Sequence, residues 1–361
     1  MKYQLKTRQI CLFFIAFLPV TKLFMMPSIL AQNAREDLWI SATVCLFFNF
    51  ITLSFLICAC KKAKTTFFEL LENNFGKIGA KIILLFYFVF FMLKAILPLG
   101  EQKDYVELTL YTLMPSKLYF LPFFALAFYL CTKHLRILGR LADVFWIFTV
   151  LGLVVLISLS LPNAEIDAIL PIGASGFSAI ISGSFKALNW FGDAVYLMFL
   201  IGEFDFKKKD GIKISLSYIF SSLTVVIFTI IFYSIFTSIA FRQRFALTEI
   251  SKYTAVINNI GRFDYFGIVF LLFSNAFALC LPLYFSCRIL NYVFNFKKLC
   301  IAPAVTTIIH LFIITVFAQY YASIEDIMMG SVSFFFLIMS FLLPVAIPFL
   351  NFKEKKNEVN T

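Results

Sequence analysis

The chain has 361 residues, of which 61% are apolar and 14% charged, against roughly 45–50% and about 25% in soluble domains, so a soluble globular fold is excluded. Its net charge of +11 comes from Lys and Arg in short connections between apolar blocks. No extended basic face with interleaved aromatics exists, which argues against a nucleic-acid partner.

Ten blocks approach the ~20 residues a helix needs to cross about 30 Å of hydrocarbon. They lie at roughly 9–32, 38–60, 78–100, 117–132, 141–161, 186–204, 212–236, 264–290, 299–320 and 327–350. The expected architecture is an all-α integral membrane domain covering 1–361, with a first half of five spans (9–161), a second half of five (186–350) and a short tail at 351–361. The first block follows the basic Lys2, Lys6 and Arg8 but closes on no small-residue cleavage pattern, so it reads as a retained helix. With the N-terminus cytoplasmic, 21 of the 31 Lys and Arg fall on the cytoplasmic side and eight on the outer side. Positively charged loops stay inside during insertion, which places both termini in the cytoplasm.

Three connections are long. Residues 61–77 carry the amphipathic TTFFELLENNFG; 162–185 read as an irregular outer segment with Pro162, Pro171, Gly173, Gly176 and Gly183; 237–263 hold Thr248 as a helix cap before a short helix over about Glu249 to Asn259. Such segments serve as gates over a cavity or as plain connectors.

Two spans are interrupted. Pro19 and the charged Lys22 sit in the middle of the first, with Pro27 after them, and Asn189, Trp190, Gly192 and Asp193 break the sixth at a comparable depth. Proline removes a backbone hydrogen bond, and the groups it frees in a membrane need protein or water partners. Spans one and six are corresponding members of two five-span halves. Because five is odd, the halves have opposite orientation, the inverted repeat of many secondary transporters, whose ligands bind at paired broken helices. No residue-level repeat accompanies this pattern.

The polar residues inside the spans are the candidate site. Lys22 lies too deep for easy snorkelling and is read as pairing with a ligand carboxylate, occupying a cation position or forming an internal ion pair. Asp193 accepts a ligand amine or a proton, or caps the half-helix after it. Lys94, one heptad before Glu101, either shares that residue's face or snorkels outward. Ser274, Asn275 and Asn49 are ligand contacts or interhelical hydrogen-bonding groups. The resulting ligand set is Pro19, Val20, Thr21, Lys22, Lys94, Asn189, Trp190, Gly192, Asp193, Ser274 and Asn275, on spans one, three, six and eight. Cys58 and Cys60 lack further ligands for zinc, and His134 and His310 lack metal spacing. No P-loop, nucleophile elbow or dinucleotide fingerprint occurs, so neither an enzymatic activity nor a cofactor is expected.

Several stretches carry a resemblance. They are TRQICLFF, Pro27 and AQNAREDLWIS (with Ala34, Asp37, Trp39, Ile40 and Ser41), then FGKIGAKI, HLRILGRLADVFWIF, LPIGASGF, FGDAVYLMFL followed by KKK, and GRFDYFGIVFLL. In order and spacing the chain resembles the spore germination permeases, the B subunits of nutrient germinant receptors within the amino acid/polyamine/organocation superfamily. The resemblance implies a LeuT-like fold, residence in the spore inner membrane, and detection of a small nutrient such as an amino acid beside an A-type subunit and a C-type lipoprotein. An amino acid permease coupled to a proton or cation is the alternative, since sensing and transport use the same pocket. Where the family usually has glycines at the break in span one, this chain has Val20, Thr21 and Lys22.

The charge asymmetry yields a topology test. Single cysteines placed at 61–77 and 207–213 in a cysteine-free background should react with impermeant reagents from the cytoplasmic side, and those at 33–37, 162–185 and 237–263 from the outer side. Outer-side labelling at 61–77 would invert the assignment.

Overall fold

The computed structural model describes residues 5–109, 116–252, 264–317 and 320–352. The described residues are helical almost throughout, which follows from a hydrocarbon environment: with no water available, backbone groups must pair within their own segment. The helices are α1 (Thr7–Phe17), α2 (Met26–Ala34), α3 (Leu38–Lys62), α4 (Phe67–Lys94), α5 (Ile96–Thr109), α6 (Ser116–Cys131), α7 (Arg136–Ser160), α8 (Phe177–Lys186), α9 (Ala194–Met198), α10 (Asp210–Phe236), α11 (Ala246–Lys252), α12 (Asp264–Phe294), α13 (Ile301–Phe317), α14 (Tyr321–Met329), α15 (Ser331–Leu337) and α16 (Leu343–Ala346). Among the described residues, six stretches are long and apolar enough to cross a membrane: Met26–Lys62, Phe67–Asp104, Arg136–Asn163, Asp210–Arg242, Val269–Phe294 and Ser331–Phe349. Phe120–Cys131 and Ile301–Val316 are apolar but shorter. The protein is an integral, multi-pass membrane protein.

The first broken span runs through the centre, its α1 half packed on α7 and α10 and its α2 half on α3 and α8. The motifs met in the sequence turn out to bind one another. From TRQ, Arg8 and Gln9 both donate to Asp143 of α7 (2.9 and 2.8 Å), and Thr7 donates to Asp210 at the start of α10 (2.5 Å). Asp37 of the AREDLW stretch accepts from the amides of Gly173 and Ser175 in LPIGASGF (2.7 and 2.9 Å), and the Ser175 hydroxyl donates to the Ala34 carbonyl (2.5 Å). These contacts fix both ends of the first broken span against the rest of the bundle.

The 61–77 connection is ordered by a capping box: the Thr66 hydroxyl accepts from the Glu69 amide (3.4 Å) and the Glu69 carboxylate from the Thr66 amide (3.0 Å). Phe67, Phe68, Leu70 and Leu71 are buried, and Gly76 at φ 73° kinks α4 between this amphipathic turn and the membrane-crossing part. Nearby, the C-terminal end of the sixth span is clamped. Leu5 pairs with the Glu203 carbonyl (3.1 Å), the Phe67 amide with the Ile201 carbonyl (3.2 Å), and the Arg288 guanidinium of α12 with the Glu203 carboxylate (2.6 Å).

Three expected boundaries are corrected. Apolarity alone starts the sixth span near 186, whereas its first half-helix is α8, from Phe177, inside the stretch read as irregular. The small residues there serve close packing: a side chain at Gly183 would meet Ser41 Oγ at 3.3 Å and Asn33 Cβ at 3.4 Å. The third span does not stop at 100. Its helix continues through Asp104 with Glu101 buried, because that carboxylate has partners inside the bundle. In the 237–263 connection the helix starts at Ala246, so Thr248 lies within it instead of capping it, and residues 253–259 of the expected helix lie outside the described residues. His310 is buried against Phe124 with neither nitrogen bonded among the described residues.

Candidate functional site

Span one breaks because Pro19 has no N–H to continue α1, which ends at Phe17; a 3₁₀ turn over Val20–Lys22 follows, and α2 restarts at Met26. Four carbonyls around the break are met from outside the span or by Lys22 itself. Thr149 donates to the Ala16 carbonyl (2.8 Å), the Lys22 ammonium to that of Leu18 (2.8 Å), and the Leu247 and Ala246 amides of α11 to those of Leu23 and Phe24 (3.0 and 2.9 Å). The short helix α11 therefore caps the break.

Span six breaks between Trp190 and Ala194. Ala187–Trp190 form a 3₁₀ turn, Phe191 is extended, and Gly192 adopts φ 85°, which favours glycine. A Cβ at Gly192 would also overlap Ser340, which sits in the π-helical turn Ile338–Leu342. Both strands of the break are tied to neighbouring helices. Lys94 of α4 donates to the Phe191 carbonyl (2.5 Å), and Asn49 of α3 accepts from the Ala194 amide (3.3 Å).

The two breaks meet through charge. Lys22 Nζ lies 2.5 Å from Asp193 Oδ2, and Lys94 Nζ lies 3.7 Å from Asp193 Oδ1. Lys22 is fully buried and Asp193 and Lys94 are each 7% exposed, so all three charges sit in the interior, where an unpaired one is costly. Asp193 occupies the N-cap position of α9 but makes no side-chain cap bond; the capping role falls to Asn49. Lys94 does not snorkel. A second link lies beside the first: Glu101 accepts from Trp190 Nε1 (2.6 Å) and from the Met25 amide (3.4 Å), joining the first and sixth spans again.

A cavity lies at this junction. Thr21, Lys94, Asn189, Trp190 and Asp193 from the expected set line it, with an aromatic wall from Phe13, Phe17 and Tyr196. Asn189 is held by its amide donating to the Met328 carbonyl (2.7 Å). Pro19, Val20, Lys22 and Gly192 shape the breaks without lining the cavity. Ser274 and Asn275 are buried away from it; span eight contributes Ala278, Leu279, Leu281 and Pro282, a turn or more further along. Glu101 is the member that sequence reasoning missed, the signal being a carboxylate one heptad from an intramembrane lysine. The space amounts to about 30 Å³ open to water centres, which at ~10–15 Å³ per water holds about two waters. A molecule larger than that enters only if the cavity widens.

Over residues 4–327 the chain matches the family described as spore germination protein. The chain belongs to this spore germination permease family. No curated protein matches it. Among solved structures it is similar to a manganese transporter of Eremococcus coleocola. A histidine-to-alanine mutant of that protein superposes with TM-score 0.60 at 12% identity, and a glutamate-to-glutamine mutant with TM-score 0.55 at 12% identity. A complex with an aromatic bis-isothiourea substituted compound gives TM-score 0.52 at 11% identity. Each alignment covers 97% of this chain and 81% of the transporter. At such identity the likeness shows a transporter fold and nothing about cargo. Among the described residues of the germination protein no group of three or more His, Cys, Asp or Glu is placed to hold a metal ion.

The cluster's geometry ranks its mutants. Removing one partner of a buried ion pair costs about 3–5 kcal/mol. Asp193→Asn strands two ammonium groups, whereas Lys22→Met leaves Asp193 with Lys94. Membrane abundance and unfolding midpoint should therefore fall further in Asp193→Asn than in Lys22→Met, and Lys22→Met/Asp193→Asn should recover part of the loss. An Asp193→Asn protein of normal abundance and midpoint would show the cluster to be energetically idle.

Proposed function

We propose that this protein is the membrane-embedded B subunit of a spore nutrient germinant receptor, which binds a small nutrient, an amino acid in the simplest case, between its broken first and sixth spans. The observation that carries the reading is the cavity between the breaks, where Lys94 and Asp193 offer opposite charges beside the aromatic wall of Phe13, Phe17 and Tyr196. That arrangement suits a zwitterion, its carboxylate on Lys94 and its ammonium on Asp193, with an apolar side chain on the aromatics. The spans form two five-helix halves of opposite orientation, both termini lie in the cytoplasm, and the protein resides in the spore inner membrane.

Binding acts by population shift. The narrow cavity corresponds to a closed arrangement, and a nutrient favours whichever arrangement it contacts better. Movement of α8 and α9 then reaches the cytoplasmic clamp of Leu5, Phe67, Glu203 and Arg288, from which A-type and C-type partner subunits receive the signal. A second reading, an amino acid permease coupled to a proton or cation, draws support from the fold shared with a transporter. Uptake by the purified chain in liposomes would favour it, and absence of uptake with retained nutrient binding would favour the receptor.

Lys94→Met removes the proposed carboxylate partner while leaving the Lys22–Asp193 pair intact. A hydrogen bond to a charged group is worth ~1.5–3 kcal/mol, so the nutrient concentration for half-maximal germination should rise about ten- to a hundredfold at similar protein abundance. An unchanged dose-response with normal abundance would remove Lys94 from the ligand site.

A further inference from the structure

Lys22 is fully buried, yet it does not line the cavity. Its ammonium lies among three oxygens of three chemical kinds: the Leu18 carbonyl at 2.8 Å, the Asp193 carboxylate at 2.5 Å and the Thr21 hydroxyl at 3.4 Å. The Phe191 ring covers it, 5.5 Å from Nζ to the centroid. Carbonyl, carboxylate and hydroxyl oxygens converging on one dry point are the ligand set of a hard cation. Here the point is occupied by a cation on the chain's own four-carbon stem.

The setting gives that charge a structural purpose. The Leu18 carbonyl belongs to the broken first span and Asp193 to the broken sixth, so a positive charge between them neutralises the carboxylate and satisfies a freed carbonyl at once. A dissociable ion at this point would make the junction of the breaks depend on ion concentration. A lysine stem makes it permanent. Lys94 differs: it lines the cavity, and its ammonium bonds the Phe191 carbonyl while standing 3.7 Å from Asp193. The two lysines thus divide the work, Lys22 closing the junction and Lys94 facing a ligand.

We propose that the Lys22 ammonium is a tethered cation that fills an oxygen-lined site at the junction of the two broken spans, so that the protein joins them and binds its nutrient without a free sodium or metal ion. The consequence for nutrient binding rests on the receptor reading given above. The junction itself is tested through unfolding alone, so failure of one and failure of the other are separately visible.

The purified full-length chain is unfolded thermally in sodium chloride, and in choline chloride with a chelator of divalent ions. The expected result is the same midpoint in both; a wild-type midpoint that falls when sodium and divalent ions are removed overturns the proposal. Lys22→Ala vacates the stem but keeps the Leu18, Thr21 and Asp193 oxygens. Its midpoint should be low in choline chloride and rise with sodium or n-butylammonium, while bulky tetramethylammonium has no effect. Lys22→Met refills the stem's volume without its charge, so it should be destabilised and insensitive to n-butylammonium. A Lys22→Met protein as stable as wild type would overturn the proposal, as would a Lys22→Ala protein indifferent to every cation. If Lys22→Ala cannot be purified, the wild-type and Lys22→Met comparisons still decide.

Discussion

The structure depends on one demand of the bilayer: charge and free backbone groups in its interior must find partners within the protein. Breaking two helices at the same depth frees several carbonyl and amide groups, and three ionisable side chains lie at the breaks. A single cluster answers both needs. Lys22 satisfies a carbonyl of its own span and the Asp193 carboxylate of the other, while Lys94 satisfies the Phe191 carbonyl and stands next to that carboxylate. Neutralising Asp193 would leave both ammonium groups uncompensated, so the junction of the breaks depends most on that carboxylate.

The cluster also explains how a nutrient-sized event reaches the cytoplasmic face in the proposed mechanism. Trp190 and Met25, one from each broken span, share Glu101, so parting the spans also pulls on the outer end of the third. On the opposite side Glu203 couples the end of the sixth span to Arg288 of α12 and to Leu5 of the N-terminal segment. The cavity lies between these two tie points, and its small volume means that ligand entry must strain at least one of them. Family membership gives this movement its context, and the transporter fold supplies a bundle in which paired broken helices can rearrange.

Much of this was legible in the sequence because charge in an apolar run is rare and must be answered. Lys22 and Asp193 stand out on that ground, and Pro19 and Gly192 mark the breaks beside them. Asn49 was legible only as a generic hydrogen-bonding residue; that it caps α9, freeing Asp193 for Lys22, depends on helix packing that periodicity does not encode. Residues 177–185 read as part of an irregular segment because small and polar residues carry the same signature there and in a helix packed tightly on its neighbours. Glu101 fell outside its span because hydropathy ends a membrane segment at the first group of charges, even where one of them is buried and paired. Ser274 and Asn275 had the right chemistry on the right helix, but a turn or more separates them from the part of α12 that reaches the cavity. Motif partners such as Asp37 and the Gly173–Ser175 amides, 136 residues apart or more, become related only in three dimensions.

In the proposed mechanism the nutrient binds at the charged junction of the two broken spans. A cryo-electron microscopy structure of the assembled receptor, determined with and without a germinating amino acid, tests it most directly. The account predicts ligand density between Phe13, Lys94, Asp193 and Tyr196, its carboxylate on Lys94, in a cavity wider than that of the closed arrangement. Ligand density on another subunit or elsewhere in this one, with the Lys22–Asp193–Lys94 junction closed and unchanged, would contradict it.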